Sequence, residues 1–287
     1  MTKLLTVREI ISRSTEYLKG HGVDTARLDS ELLLAEALNL TRIQLYLQLE
    51  RPLQEEELAR LRQLLGKRAK QRVPVAYLLG KKEFYGLDLA VSPQVLIPRP
   101  ETELLVELVA KKAPKSARAL EVGIGSGAIS ISLAKALPEL KIWATDLSRE
   151  ALLIAQENCQ RHQVAERIQL LEGDLFAPVL GKEGFFEVVV ANPPYIPHSQ
   201  LPTLAPELRH EPQLALDGGP DGLSVLEPLV REAYTYLAPG GLLALELGEG
   251  QGEAVTAIAT KAGFVEPSCH NDYSGFERFF IAWRPNR

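Results

Sequence analysis

Phe185-Phe186-Glu187-Val188-Val189-Val190-Ala191-Asn192-Pro193-Pro194-Tyr195 is the stretch on which the reading of the whole chain turns. Its β-branched, apolar first half predicts a buried strand. Pro-Pro cannot continue a ladder, because neither residue has a donor N–H, so the strand ends at Asn192. Proline also biases the residue before it towards extended geometry, which holds Asn192 at the strand's carboxyl end with its amide facing outward. In open α/β sheets ligands bind at that edge. The Asn192 side-chain oxygen and the Pro193 carbonyl form a pair of acceptors suited to a substrate –NH2 with two donors, and the Tyr195 ring is expected to pack on the flat group that carries the nitrogen. The competing reading is a proline-rich strand exit with a capping Asn and a packed Tyr; the glycine loop upstream weighs against it.

Working outward, strands and helices alternate from Arg99 onward. Helices are expected at Thr102 to Lys112, Ala128 to Leu137, Arg149 to Arg161, Leu223 to Leu237 and Gly252 to Ala262. Strands are expected at Arg118 to Val122, Lys141 to Thr145, Ile168 to Leu171, Glu187 to Ala191 and Leu242 to Leu247, with two more near Val265 and at Arg278 to Trp283. This pattern predicts an α/β fold, a doubly wound Rossmann-like parallel sheet. The last two strands are separated by only a short turn around Ser274-Gly275, so one of them must run antiparallel.

Glu121-Val122-Gly123-Ile124-Gly125-Ser126-Gly127 lies where the first of these strands turns into a helix, and glycine lets a ligand approach the backbone closely. Gly123-x-Gly125-x-x-Ala128 also fits the dinucleotide fingerprint, and Asp146, at the end of the second strand, can accept ribose hydroxyls of NAD or of an adenosyl cofactor. Asp174, after the third strand, can accept from an adenine amine or simply cap its loop. Asn192-Pro193-Pro194-Tyr195 separates the cofactors: hydride transfer has no need of two acceptors aimed at an amine, and methyl transfer to a planar nitrogen does.

Upstream, Met1 to Val73 is helical throughout, with Asp24 and Thr41 as expected caps, and reads as a small bundle. Residues 74–98, punctuated by Gly80, Gly86 and Pro93, read as a β-hairpin linker rather than more helix, and 99–287 as the catalytic domain. The 287 residues carry a net charge of −5, which argues against a broad grip on nucleic acid. Lys67 to Arg72, with Lys81 and Lys82, are expected to be solvated faces of a helix and a turn. Cys159 and Cys269 lack the spacing of a zinc site or disulfide framework, no metal is expected, and the five histidines are scattered. No run approaches the roughly 18 apolar residues of a membrane span, and the charged N-terminus is unlike a secretory signal, so a soluble cytoplasmic protein is expected.

Several further stretches carry a resemblance: Pro74-Val75-Ala76-Tyr77-Leu78-Leu79-Gly80, Leu96-Ile97-Pro98-Arg99-Pro100-Glu101-Thr102-Glu103, Asn192 to Ile196, Glu211-Pro212, Ala215-Leu216 and Asp221-Gly222-Leu223. Glu246-Leu247-Gly248 before Gln251-Gly252, and Asp272-Tyr273 with Gly275, extend it. Together they resemble the PrmC (HemK) family of S-adenosylmethionine-dependent methyltransferases, over about Pro74 to Trp283. The resemblance implies a class I methyltransferase fold and a protein-(glutamine-N5) methyltransferase. Its expected partners are class 1 peptide chain release factors, methylated at the glutamine of their Gly-Gly-Gln loop. It implies that Gly123, Ile124, Gly125, Ser126, Gly127, Asp146, Asp174, Leu175 and Asn192 bind S-adenosyl-L-methionine. It implies substrate binding by Asn192, Pro193, Pro194 and Tyr195, with Asn192, Pro193 and Tyr195 catalytic. The N-terminal bundle fits the family only in length and helical character, and together with the hairpin it is expected to grip the protein substrate away from the chemistry. The chain departs from many members at Glu121, where they have Asp, and from some at Leu175, where they have Trp. An exocyclic-amine methyltransferase acting on DNA or RNA is the alternative, which would want a basic cleft and a larger recognition region. A non-catalytic scaffold that binds release factor is a third, separable by cofactor binding.

Overall fold

The computed structural model describes residues 5–286, and intramolecular contacts divide them into two units. The first unit, whose described residues are 5–81 together with Ala205–His210, is mostly helical: α1 (Val7–Gly20), α2 (Ala26–Leu38), α3 (Arg42–Leu47), α4 (Glu55–Gln71) and α5 (Val75–Leu79). Thr6 opens α1 and Thr41 opens α3, each with a capping box in which a hydroxyl and a following Glu9 or Gln44 exchange bonds with backbone N–H groups. Thr25, rather than Asp24, stands at the start of α2. Val7, Leu18, Leu33, Leu34, Leu45, Leu53 and Leu61 form the core.

Two expectations are corrected here. Val75–Leu79 is a five-residue helix between Pro74 and Gly80, inside the stretch expected to be hairpin; β1 (Lys81–Phe84) and β2 (Leu87–Ala90) then make the hairpin itself. And Lys67 to Arg72 is not a uniformly solvated face. Arg68 is buried, donating to Asp29 Oδ2 and Glu207 Oε1 at 2.7 Å each, and Arg72 bonds Glu207 and the carbonyls of His21 and Gly22. A buried arginine demands such partners, since an unpaired buried charge costs several kcal/mol.

The second unit contains α6 (Thr102–Lys112), β3 (Arg118–Val122), α7 (Ala128–Ala136), β4 (Lys141–Asp146), α8 (Arg149–Arg161), β5 (Ile168–Glu172), β6 (Phe186–Ala191), α9 (Leu226–Tyr236), β7 (Leu237–Glu246), α10 (Gly252–Ala262), β8 (Val265–Asn271) and β9 (Glu277–Trp283). The seven strands order as β5-β4-β3-β6-β7-β9-β8, with β9 antiparallel to both its neighbours and all other pairs parallel. The sheet is buried on both faces. Ala119, Val188, Val190, Leu242, Ala244, Phe279 and Ile281 look towards residues of α6, α7 and α8, whereas Leu120, Val189, Leu243, Leu245 and Phe280 look towards α9 and α10. That is why β6 reads as a continuous apolar run rather than an alternating one.

The winding determines where a ligand fits. From β3 the chain steps outward through β4 to β5, then crosses back to β6 on the other side of β3 and continues to β7. The connections after β3 and β6 therefore leave in opposite senses, and a crevice opens between the carboxyl ends of these two strands.

Candidate active site

A cavity of about 280 Å³ occupies that crevice. One wall is the loop after β3. Gly123 N and Ile124 N both donate to Thr145 O, at 2.9 and 3.0 Å, folding the loop back over the end of β4. Gly125 N donates to Asp146 Oδ2 at 2.9 Å while Ser148 N donates to Oδ1, so the Asp146 carboxylate is locked beneath the loop it supports. Burial raises the Asp146 pKa, and the backbone donors of Gly125, Ser148 and Leu147 oppose that rise. Gly127 opens α7 at φ +87°, a conformation that favours glycine, and a Cβ there would press on the tip of Ile131 at 2.8 Å. Asn158, fully buried on α8, donates to Ser126 O and pairs with both backbone groups of Ala90, tying the loop to the hairpin.

Glu121 sits on the cavity floor, accepting from Ser130 N at 2.9 Å and from the Ser130 hydroxyl. Burial pushes its pKa up to about 8, against the pull of the Ser130 donors and with a smaller push from Asp146. At neutral pH this carboxyl is largely neutral unless a cation enters the cavity.

The opposite wall is made by Asn192, Pro193 and Pro194, directly after β6, and the far end by Asp174 and Leu175 after β5. Leu175 adopts φ +42°, unusual for a branched side chain, with its carbonyl accepting from Thr145 Oγ1 at 3.0 Å. The fold thus gathers Gly123, Ile124, Gly125, Ser126, Asp146, Asp174, Leu175, Asn192, Pro193 and Pro194 around one space. Gly127 and Tyr195 stand outside it. Gly127 shapes the turn. The Tyr195 ring packs with the apolar layer between the sheet and α9, and its hydroxyl donates to Glu246 Oε1 at 3.3 Å, so the ring does not face the cavity as expected from the sequence. Burial and the adjacent Glu246 raise its pKa to about 12.

Residues whose place was not read from the sequence complete the walls. Thr102, the first residue of α6, lies beside Asn192, and Arg99 and Pro98 of the same segment also line the cavity. Glu211 holds that segment: its carboxylate accepts from Ile97 N at 2.9 Å and from Arg99 Nη2 at 2.7 Å. The stretches Leu96 to Glu103 and Glu211-Pro212 were visible as motifs, but only the fold shows that they are two halves of one clasp.

Strand order, glycine loop and carboxyl-edge cavity define a Rossmann-like fold, and that fold is shared by a methyltransferase from Pyrococcus furiosus, 21% identical, with a TM-score of 0.52, the match covering 79% of this chain and 98% of that one. Residues 9–80 match the PrmC N-terminal domain and residues 100–219 the methyltransferase small domain. The chain is 44% identical to a release factor glutamine methyltransferase of Geobacter sulfurreducens over 277 residues, 96% of each chain, and 43% identical to one of Moorella thermoacetica over 283 residues, 98% of this chain and 99% of that one. It belongs to the release factor glutamine methyltransferase family.

Proposed function

We propose that this protein transfers a methyl group from S-adenosyl-L-methionine to the side-chain amide nitrogen (N5) of a glutamine in peptide chain release factors, that of the Gly-Gly-Gln loop of class 1 factors. The observation that carries the reading is that Asn192 and Pro193 share one cavity with the glycine loop and Asp146. The donor set suits the cofactor. Asp146, with both oxygens already anchored, still has lone pairs for ribose hydroxyls; Glu121 offers a buried carboxyl to the ammonium of the methionine portion; Asp174 and Leu175 offer an acceptor and an apolar wall to adenine.

When bound, the cofactor supplies an electrophilic methyl group on a sulfonium. The chain has to make a poor nucleophile react, because a carboxamide lone pair is delocalised into its carbonyl. Asn192 Oδ1 and the Pro193 carbonyl accept the two N–H groups, turn the nitrogen towards the methyl donor and stabilise the positive charge that develops on it. Held by Asp146, Glu121, Asp174 and Leu175, the cofactor would supply the methyl group to that nitrogen, which would give up a proton to solvent. Fixed dipoles and alignment supply the rate, and the scheme asks for no side-chain base.

The N-terminal helical domain, residues 1–73, grips the protein substrate. Release factors act in the cytoplasm, and the chain is assigned there with them; no helix among the described residues is long and apolar enough to cross a membrane. Incubation with labelled cofactor and a class 1 release factor, followed by mass mapping, is expected to place the methyl on the Gly-Gly-Gln glutamine. Label on another residue, or only on added DNA or RNA, would overturn the assignment.

A further inference from the structure

Asn192 has two faces, and only one can serve the proposed chemistry: the oxygen must meet the substrate, and the nitrogen must be turned away. Both faces have nearly the same shape, so something besides packing has to choose between them.

The choice is made by a short relay of groups within the second unit. Glu246, the last residue of β7, is buried, and both its oxygens are engaged. Oε2 accepts from Thr102 Oγ1 at 2.6 Å, and Oε1 accepts from the Tyr195 hydroxyl at 3.3 Å. A carboxylate has no proton to give, and a threonine hydroxyl has one; that proton is committed to Glu246. Towards Asn192, 3.4 Å away, the Thr102 oxygen can therefore only accept. The amide nitrogen of Asn192 is drawn to Thr102, and Oδ1 is left for the cavity. Burial raises the Glu246 pKa, with a smaller push from Glu101, while the Thr102 hydroxyl, Arg278 of β9 and the Tyr195 hydroxyl oppose that rise and favour its ionised form. Tyr195 closes the circuit, since it is joined to Asn192 through Pro193-Pro194: the first and last side chains of the motif end on the same carboxylate. Pro193, whose carbonyl is the second acceptor, is spanned by that clamp.

We propose that Thr102 and Glu246 are positioning residues that orient the Asn192 amide so that its oxygen, not its nitrogen, meets the glutamine. This rests on the function proposed above, and the test keeps the two apart. Wild-type enzyme is the control, because failure to methylate release factor at glutamine would refute that function and not the relay. Given methylation, Thr102→Val, which keeps shape and loses the hydroxyl, is expected to lower kcat about ten- to a hundred-fold, less than the loss of the direct contact itself. Cofactor affinity by calorimetry should stay within about twofold, because Thr102 acts on the other wall. Thr102→Ser should return the rate to near wild type, and the calorimetric affinity for a Gly-Gly-Gln peptide should fall in the valine variant and not in the serine one. Since Thr102 acts through Asn192, the double variant Asn192→Ala/Thr102→Val should be no slower than Asn192→Ala alone. Should the valine variant fail to fold by circular dichroism, Thr102→Ala carries the same cycle. Unchanged rate and peptide affinity on loss of the hydroxyl, or losses that multiply in the double variant, would overturn the proposal.

Discussion

At the scale of single residues, burial shifts two carboxyl groups of the cavity in the same direction and by different means. The rise at Asp146 is opposed by backbone donors, whereas Glu121 lies deeper, and its ordinary pKa of 4.5 is pushed up to about 8. The consequence for stability follows from linkage. Below about pH 4.5 Glu121 is protonated in the folded and unfolded chain alike, and it contributes no pH dependence. Between about 4.5 and 8 the unfolded chain gives up this proton while the folded chain keeps it, so stability falls as pH rises, by on the order of 1 kcal/mol per pH unit from this group. Glu121→Gln keeps an acceptor for Ser130 and removes the titration. In urea unfolding of the cofactor-free protein, the stability of the variant relative to wild type is expected to grow steadily from pH 5 to 8; parallel profiles would refute the assignment. Asn192 and Pro193 were legible in the sequence because a Pro-Pro pair after an apolar run marks a strand end from local chemistry alone. Thr102 and Glu246 stood in recognised motifs, but their pairing was not legible. Thr102 lies 90 residues before Asn192 and 144 before Glu246, and hydroxyl and carboxylate meet only once the sheet has brought the start of α6 to the end of β7.

At the scale of elements, long periodic segments were readable and short or irregular ones were not. The helix Thr102–Lys112 has the bounds that its periodicity predicts, whereas Val75–Leu79 is too short for a helical period to show between a proline and a glycine. β7 begins at Leu237, five residues before the expected start, because Phe186 pairs with Leu237 before the register shifts and resumes at Val188 with Leu242. Pro239-Gly240-Gly241, which fell between the expected helix and the expected strand, is an irregularity within β7. Motifs recognised only by resemblance acquire physical causes at this scale. Gln251, which opens α10, donates to Tyr195 O at 3.0 Å and to Gly222 O at 3.1 Å, and accepts from Gly248 N at 2.8 Å, so one side chain ties the Asn192–Tyr195 loop to two other stretches. Gly222 has φ +78°, and a Cβ there would lie 2.4 Å from Tyr195 O and 2.6 Å from Gln251 Nε2. Gly222→Ala must therefore displace the backbone that follows Pro194. The expected result is a loss of about 1–3 kcal/mol in stability. Turnover should drop by about a hundred-fold, as misplacement of a positioned group by an ångström does, with cofactor affinity nearly unchanged. Thermal unfolding, steady-state rates and calorimetry on one preparation check all three, and a variant with wild-type turnover would show that the loop tolerates the shift.

At the scale of the whole molecule, the chain crosses between its two units more often than its sequence suggests. The connection that follows Asn192–Tyr195 leaves the second unit after Leu204, runs through Ala205–His210 as part of the first, and returns at Glu211. Glu207 anchors this excursion by accepting from Arg68 at 2.7 Å and Arg72 at 2.9 Å, and His210 Nε2 meets Gln71 O at 2.7 Å. Residues so far apart in sequence gave no local sign of this pairing, and Arg68 and Arg72 therefore read as surface charge. Deleting Met1 to Val73 would remove the helical bundle and the anchor of Glu207 together, so it cannot assign a recognition role to either one. Glu207→Ala in the full chain separates them: the bundle keeps its apolar core and Arg68 keeps Asp29, while the excursion loses its anchoring charge. Every residue lining the cofactor cavity belongs to the second unit, so cofactor affinity is expected to stay within about twofold. If the excursion helps to seat the protein substrate, loosening it adds an ordering cost of roughly 1–2 kcal/mol on binding. That corresponds to a kcat/KM for release factor lowered about five- to thirty-fold, mostly through KM. A short Gly-Gly-Gln peptide that reaches only the cavity should be methylated by the variant and by wild type at similar rates. Equal losses on peptide and intact factor would place the effect of Glu207 in the chemistry instead of in docking.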